Sequence, residues 1–361
     1  MNATRATIDL DDTDGLLAAD RDGLLRSAST AGAQVRAAAA ALDGGALDPV
    51  TSDERPRTVI WVAGRGAAET AGVMLAATLG SRVAAPIVVA AGAPPWIGPL
   101  DTLVVAGDDP GDPALVGAAA SGVRRGARVV VAAPYQGPLR DSTAGRVAVM
   151  EPRVPVPEEF RLCRYLAAGL ATLQTVDPKL RVDLAAMADE LDAEALRNSA
   201  SREVFTNPAK ALVERMSRRR VVLAGDCAAT LALARHGSSA LLRIAHQVAA
   251  ATGLADALAA LRAIAQSKSL DPEEAFFHDE QIDGPVAERL RVLALTLDAE
   301  RSVVASRAVR LDDLDIVGAE DVSDVSDVRS APVGVQRAEQ QLAILAVRLE
   351  MAAVYLRLVR G

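Results

Sequence analysis

Residues Asp101 to Pro134 read DTLVVAGDDPGDPALVGAAASGVRRGARVVVAAP. The run Thr102–Ala106 is short, β-branched and closed by Gly-Asp-Asp-Pro-Gly, which predicts a buried parallel strand entering a tight turn. Asp112 and Pro113 then open an Ala-rich helix that reaches Arg125, because a carboxylate cap and a first-turn proline suit the unpaired N–H groups of a helix start. Gly126 ends that helix, and Arg128–Ala133 is a second apolar strand. Strand, helix and strand in this order make one right-handed crossover of a parallel sheet. Such units bind ligands where the strand's C-terminal end meets the helix N-terminus. In this chain that place carries Asp108, Asp109 and Asp112.

The same alternation extends in both directions. Thr58–Ala63 is a strand that runs into the glycine loop Gly64-Arg65-Gly66-Ala67-Ala68 and a helix to Leu79. The loop lacks the lysine of a nucleotide P-loop, so that class is excluded. Further strands are predicted at Pro86–Ala91 and Arg146–Val149, and the proline-spaced segment EPRVPVPEEF marks a domain boundary. Helices are predicted at Phe160–Val176 and Val182–Asn198, and another starts at Asn207-Pro208 with Asn207 as N-cap. Arg220–Ala224 repeats the pattern of a strand ending in Gly-Asp. It is followed by helices at Ala228–His236 and Ser239–Thr252, strands at Val292–Leu297 and Asp315–Val317, and a closing amphipathic helix at Ala338–Val359. Ahead of all this, Leu16–Leu42 carries apolar residues at helical spacing.

The chain therefore divides into an N-terminal arm with helices (1–57), a first α/β domain (58–155), connecting helices (156–200) and a second α/β domain with the C-terminal helix (201–361). Its 361 residues are long enough to bury two cores. Half the residues are apolar but only 2% are aromatic, so Ala, Val and Leu must fill those cores and few rings are left to stack on bases. With 39 basic against 47 acidic residues the net charge is −8, which argues against nucleic acid or an anionic membrane as partner. No signal segment and no run of eighteen apolar residues is found, which leads to the expectation of a cytoplasmic protein. Cys163 and Cys227 lack metal-ligand spacing and read as small buried residues; no metal or cofactor is expected.

Three stretches, GRGAAETAG, the 101–134 unit, and FTNPAKALVERM before RVVLAGDC, resemble the sugar isomerase (SIS) double-domain proteins. The resemblance is to the bifunctional phosphoglucose/phosphomannose isomerase branch and, within it, to the actinobacterial TobH-like proteins. It implies an α/β fold of two tandem SIS-like domains, each a parallel sheet flanked by helices, a homodimer, and a sugar phosphate or related carbohydrate derivative as ligand. The family's phosphate loop, Ser-x-Ser-Gly-x-Thr-Glu, is matched here by Ala106 to Asp112, with both serines and the threonine gone, and its first-loop serine is Ala68. Two carboxylates in that turn would repel a dianion by roughly 4 kcal/mol per charge pair at about 4 Å. Of the family's acid–base groups, His246 falls at the glutamate position and His278 at the ring-opening histidine, while the C-terminal lysine has no counterpart.

The candidates thus are His278 and His246 for catalysis, and Gly64, Arg65, Gly66, Ala68, Asp108, Asp109, Asp112, Asn207 and Lys210 for the ligand. Helix capping and a solvated acidic turn account for the three aspartates before a ligand does, and capping and surface charge come first for Asn207 and Lys210. His246 reads first as a core histidine and second as a base. These residues lead to a carbohydrate-derivative-binding protein that is non-catalytic or regulatory. Two alternatives stand beside it: an aldose–ketose isomerase with a relocated site, and a structural partner that presents the Ala338–Val359 helix.

Overall fold

The computed structural model describes residues 8–268, 289–321 and 337–360. Three helices open the chain, α1 (Thr13–Ala19), α2 (Leu24–Ala28) and α3 (Ala31–Asp43). The first sheet region follows as β1 (Thr58–Ala63), α4 (Ala67–Leu79), β2 (Ile87–Ala90), β3 (Asp101–Ala106), α5 (Pro113–Arg124), β4 (Arg128–Ala132), α6 (Gly137–Thr143) and β5 (Ala148–Val149). Helices α7 (Leu162–Val176), α8 (Leu184–Arg197) and α9 (Pro208–Met216) lead onward. The second sheet region is β6 (Arg220–Gly225), α10 (Ala228–Ala245), β7 (Ala250–Gly253), α11 (Leu254–Lys268), β8 (Leu290–Leu295), α12 (Asp298–Ala308) and β9 (Leu314–Val317), and α13 (Ala338–Arg360) closes the chain.

Both sheets are parallel throughout, in the orders β2-β1-β3-β4-β5 and β7-β6-β8-β9. The second repeats the winding of the first with one strand fewer. The α/β reading with two parallel sheets flanked by helices therefore holds. In β3 all six residues are buried, as a strand covered on both faces requires. Asp112 caps α5 through the Ala114 N–H at 2.8 Å, with Pro113 in the first turn.

Two segments fold differently from the sequence reading. The helices expected at Ala228–His236 and Ser239–Thr252 are one helix, α10, and the expected helical residues Ala250–Thr252 pair with β6 as the strand β7. Gly237 is a point of close approach and not a break, since a Cβ there would stand 2.8 Å from Leu223 Cδ1 and 3.1 Å from Leu349 Cδ1. Helices α11 and α12 also lie where no helix was expected.

Helix α13 is the common core element. It is buried on nearly every face and packs against α10, α9, α8, α7, α4 and α2. Its Ala- and Leu-rich surface admits this close packing, yet it carries Arg348 and Glu350, each 1% exposed. Arg348 is held by Glu194 of α8 at 2.7 Å and by the carbonyls of Gly318 and Ala319 at 2.7 and 2.9 Å. Among the described residues no helix is long and apolar enough to cross a membrane.

Candidate functional site

Strand β1 ends at Ala63 and is followed by Gly64, and α4 starts at Ala67 with Gly66 as its N-cap at φ +79°, a positive φ that only glycine adopts without strain. No side chain caps this helix, and a Cβ on Gly66 would meet nothing within 4 Å, so the α4 N-terminus opens onto free space. That space is a cleft of about 230 Å³ between the two sheet regions. Gly66, Ala67, Glu69, Thr70 and Val73 line its α4 side; Ala232, Arg235, His236, Ser239, Ala240 and Arg243 line its α10 side. The α10 residues recur every three to four positions, which places them on one face of that helix. Glu158 and Glu159, from the short turn Glu158–Phe160, close the rim.

The chemistry of the cleft centres on His236. Its Nε2 lies 2.8 Å from Oε1 of Glu350 on α13, and the ring is 7% exposed where it reaches the cleft. A carboxylate behind one ring nitrogen fixes the imidazole's orientation and leaves Nδ1 as its remaining polar atom. Arg243 binds both Glu158 and Glu159 at 2.9 Å, so those three charges are mutually engaged. Arg235 forms no ion pair with a described residue, which leaves it free for an anion, and Thr70 and Ser239 add hydroxyls.

Burial raises the Glu350 carboxyl above its ordinary value of 4.5, and the hydrogen bond and charge of His236 offset only part of this. Because the folded value lies above the unfolded one, the bound proton contributes stability that is complete below about pH 4.5 and is lost as pH rises through the folded value. Glu350→Gln carries no such proton. Its urea midpoint is therefore expected to fall less than that of the wild type as pH rises above about 4.5. Parallel curves for the two proteins would count against a raised Glu350 carboxyl.

The residues singled out from the sequence lie apart. Only Gly66 is in the cleft lining; Gly64 is tied back by its N–H to the Ala106 carbonyl at 2.7 Å, and Arg65 is exposed beside the loop. Ala68 points into the core, and its carbonyl accepts the Trp61 indole N–H at 2.9 Å. Asp109 and Asp112 bond backbone N–H groups of Gly111 and Ala114, each at 2.8 Å. Asp108 accepts hydrogen bonds from Arg164 and Tyr165 and pairs with Arg161, so it is not the unbalanced carboxylate expected from the sequence.

Asn207 caps α9 through the Lys210 N–H at 3.0 Å. The Lys210 ammonium, lowered by burial, donates to the carbonyls of Ala200 and Arg202 and lies 5.5 Å from the Tyr355 ring centroid. His246 ends α10 in a left-handed conformation at φ +52° and is exposed, neither in the core nor in the cleft lining. His278 lies outside the described residues. No group of three or more His, Cys, Asp or Glu among the described residues is placed to hold a metal ion.

No family model and no curated protein sequence matches the chain. Solved structures do match over nearly its whole length. Tagatose-6-phosphate ketose/aldose isomerase of Escherichia coli aligns with a TM-score of 0.57 at 12% identity, covering 94% of this chain and 91% of that one. The C-terminal domain of glucosamine-fructose-6-phosphate aminotransferase from Francisella tularensis aligns at 0.54 and 10% identity, covering 94% of each chain. A glucose-6-phosphate isomerase like protein of Thermus thermophilus aligns at 0.51 and 20% identity, covering 98% of this chain and 96% of that one. What the chain shares with them is the fold, two parallel sheets flanked by helices.

Proposed function

We propose that this chain binds a sugar phosphate or related carbohydrate derivative in the cleft between its two sheets, without isomerising it. The observation that carries the reading is that the α4 N-terminus, which no side chain caps, and Arg235 of α10, which forms no ion pair with a described residue, share one cleft with two hydroxyls. Free backbone N–H groups at a helix start and a guanidinium suit a phosphate, and hydroxyl side chains suit a polyol. Two of the structural neighbours, the tagatose-6-phosphate isomerase and the glucosamine-fructose-6-phosphate aminotransferase domain, are named for sugar phosphates.

Turnover is absent from the proposal because an aldose–ketose shift needs a base at the carbon and a group that opens the ring. Within the cleft lining Glu158 and Glu159 are tied to Arg243, and Glu350 stands behind His236. Among the described lining residues the groups left are His236 and Glu69, and Glu69 stands in the first turn of α4, the helix start proposed to hold the phosphate, where the reading gives it no proton to move. The match to the phosphoglucose/phosphomannose isomerase branch and its TobH-like members belongs to this reading, as does a homodimer working in the cytoplasm.

Calorimetry against glucose-6-phosphate, mannose-6-phosphate and fructose-6-phosphate tests it. Binding of at least one is expected, and Arg235→Ala is expected to weaken it about tenfold, the loss of one charge-assisted hydrogen bond. No binding by any sugar phosphate would overturn the ligand class, and conversion of glucose-6-phosphate to fructose-6-phosphate would overturn the absence of catalysis.

A further inference from the structure

A second hollow, about 490 Å³ in volume, lies where α1, α2 and α8 meet over α13, and it shares no lining residue with the cleft between the sheets. Leu25, Ala195, Met351 and Tyr355 form its floor, each less than one-tenth exposed. Leu17 and Leu196 stand at its edge, 55% and 69% exposed. Two large apolar side chains held in water beside an apolar floor would gain by covering one another with a further apolar body. The Tyr355 hydroxyl is already given to the Asn198 carbonyl at 2.6 Å, so it offers the groove no polar atom.

The polar groups around this floor are spoken for, with one exception. Ser29 Oγ donates to the Arg26 carbonyl at 2.8 Å, the hydroxyls of Ser199 and Ser201 share a hydrogen bond of 3.1 Å, and Asp192 pairs with Arg36 at 2.6 Å. Arg26 is exposed and forms no ion pair with a described residue. The groove therefore asks for an apolar body and one anionic head. A polyol would leave its hydroxyls without partners on this floor. A dianion is disfavoured because one Arg36 serves both Asp189 and Asp192, which leaves negative charge beside the head. The volume falls in the range of about 300–1,000 Å³ that holds small molecules. A helical peptide, about 10–12 Å across, would fill it with roughly one turn, too short a stretch for anchors at i, i+3, i+4 and i+7.

We propose that the groove over α13 is a binding site for a single aliphatic chain ending in a carboxylate, with the chain lying on Leu17, Leu25, Leu196 and Met351 and the carboxylate on Arg26. The site does not depend on what the cleft binds.

Calorimetry of the full chain against octanoate, decanoate and dodecanoate, each kept below its micelle concentration, tests the site. Binding is expected to tighten roughly tenfold for every two methylenes added. Arg26→Gln is expected to weaken decanoate about tenfold and to leave decanol unchanged, because only the first has a charge to lose. Leu196→Ser is expected to weaken both about fivefold. Each substitution lies at an exposed position, so the variants should fold as the wild type does. Decanoate that binds the wild type and both variants equally lies elsewhere on the chain and would overturn the site, as would no binding at any chain length. An Arg26→Gln variant that holds decanoate as tightly as the wild type would overturn the carboxylate, and tighter binding of decyl phosphate at pH 8 would overturn the single charge. A wild type that sediments as a dimer and that Leu196→Ser turns into a monomer would assign this face to a second copy of the chain and overturn the ligand.

Discussion

Replacing Arg348 by methionine is expected to lower the stability of the whole chain by about 3–5 kcal/mol, the usual cost of removing one partner from a buried ion pair. Arg348 and Glu194 are 1% and 0% exposed, and they meet through two hydrogen bonds of 2.7 and 3.2 Å. The variant leaves the Glu194 carboxylate buried with only Arg197 and Asn198 as partners, and it strips the Gly318 and Ala319 carbonyls of their donor. In the wild type, burial alone would raise the Glu194 carboxyl. The charge and hydrogen bonds of Arg348, helped by Asn198 and Arg197, outweigh it and hold the group below its ordinary 4.5. A depressed carboxyl contributes stability that is present above the unfolded value and is lost as pH falls through the folded one. The wild type should therefore lose this contribution below about pH 4.5, and Arg348→Met should show little of that acid dependence. Urea denaturation at neutral and acid pH measures both effects. A second change, Glu194→Leu, is expected to restore part of the loss, because a matched apolar pair avoids the uncompensated charge. A single variant as stable as the wild type would show that the pair contributes nothing net.

The position of that pair also shows where sequence reading stops. The parallel sheets were legible because each crossover is local: β3, α5 and β4 follow one another within 32 residues, from Asp101 to Ala132, with their cap and breaker residues in place. The closing helix was legible in its bounds, expected at Ala338–Val359 and found at Ala338–Arg360, but not in its burial: expected to be amphipathic and, in one alternative, presented to a partner, it is covered on nearly every face. Strand β7 was not, because Ala-Ala-Thr-Gly carries no strand preference of its own and is extended only through pairing with β6. The cleft was least legible. His236 and Glu350 lie 114 residues apart, and Asp108 meets Arg164 across 56, so no window of sequence contains either pair. One trace of the first existed: Glu350 interrupts the apolar surface of a helix that is buried on nearly every face, and a carboxylate in such a place requires a partner.

Gly225→Ala is expected to cost about 3 kcal/mol, near the upper end for overpacking a close-packed site, and to disturb the cleft as well. Gly225 is the last residue of β6, and a Cβ on it would stand 2.2 Å from the Leu231 nitrogen and 2.4 Å from the Thr230 carbonyl carbon. Both are backbone atoms in the first turns of α10. No rotamer change relieves the clash, so the helix must move off the strand. Helix α10 carries Arg235, His236 and Ser239 into the cleft, and its His236 is seated on Glu350 of α13, an element that would not follow. A shift of even about 1 Å breaks a hydrogen bond of 2.8 Å, and the buried Glu350 then lacks the partner that offsets its burial. Gly66→Ala is the control. It has open space around its Cβ and only the backbone strain of φ +79° and ψ −129° to bear, about 1–3 kcal/mol, and it leaves α10 in place. Urea midpoints should rank wild type above Gly66→Ala and Gly66→Ala above Gly225→Ala. In Gly225→Ala alone, the His236 ring resonances at one fixed pH should move from their wild-type positions. If they stay in place while stability falls, β6 and α10 yield elsewhere, and the seating of His236 does not depend on the close approach at Gly225.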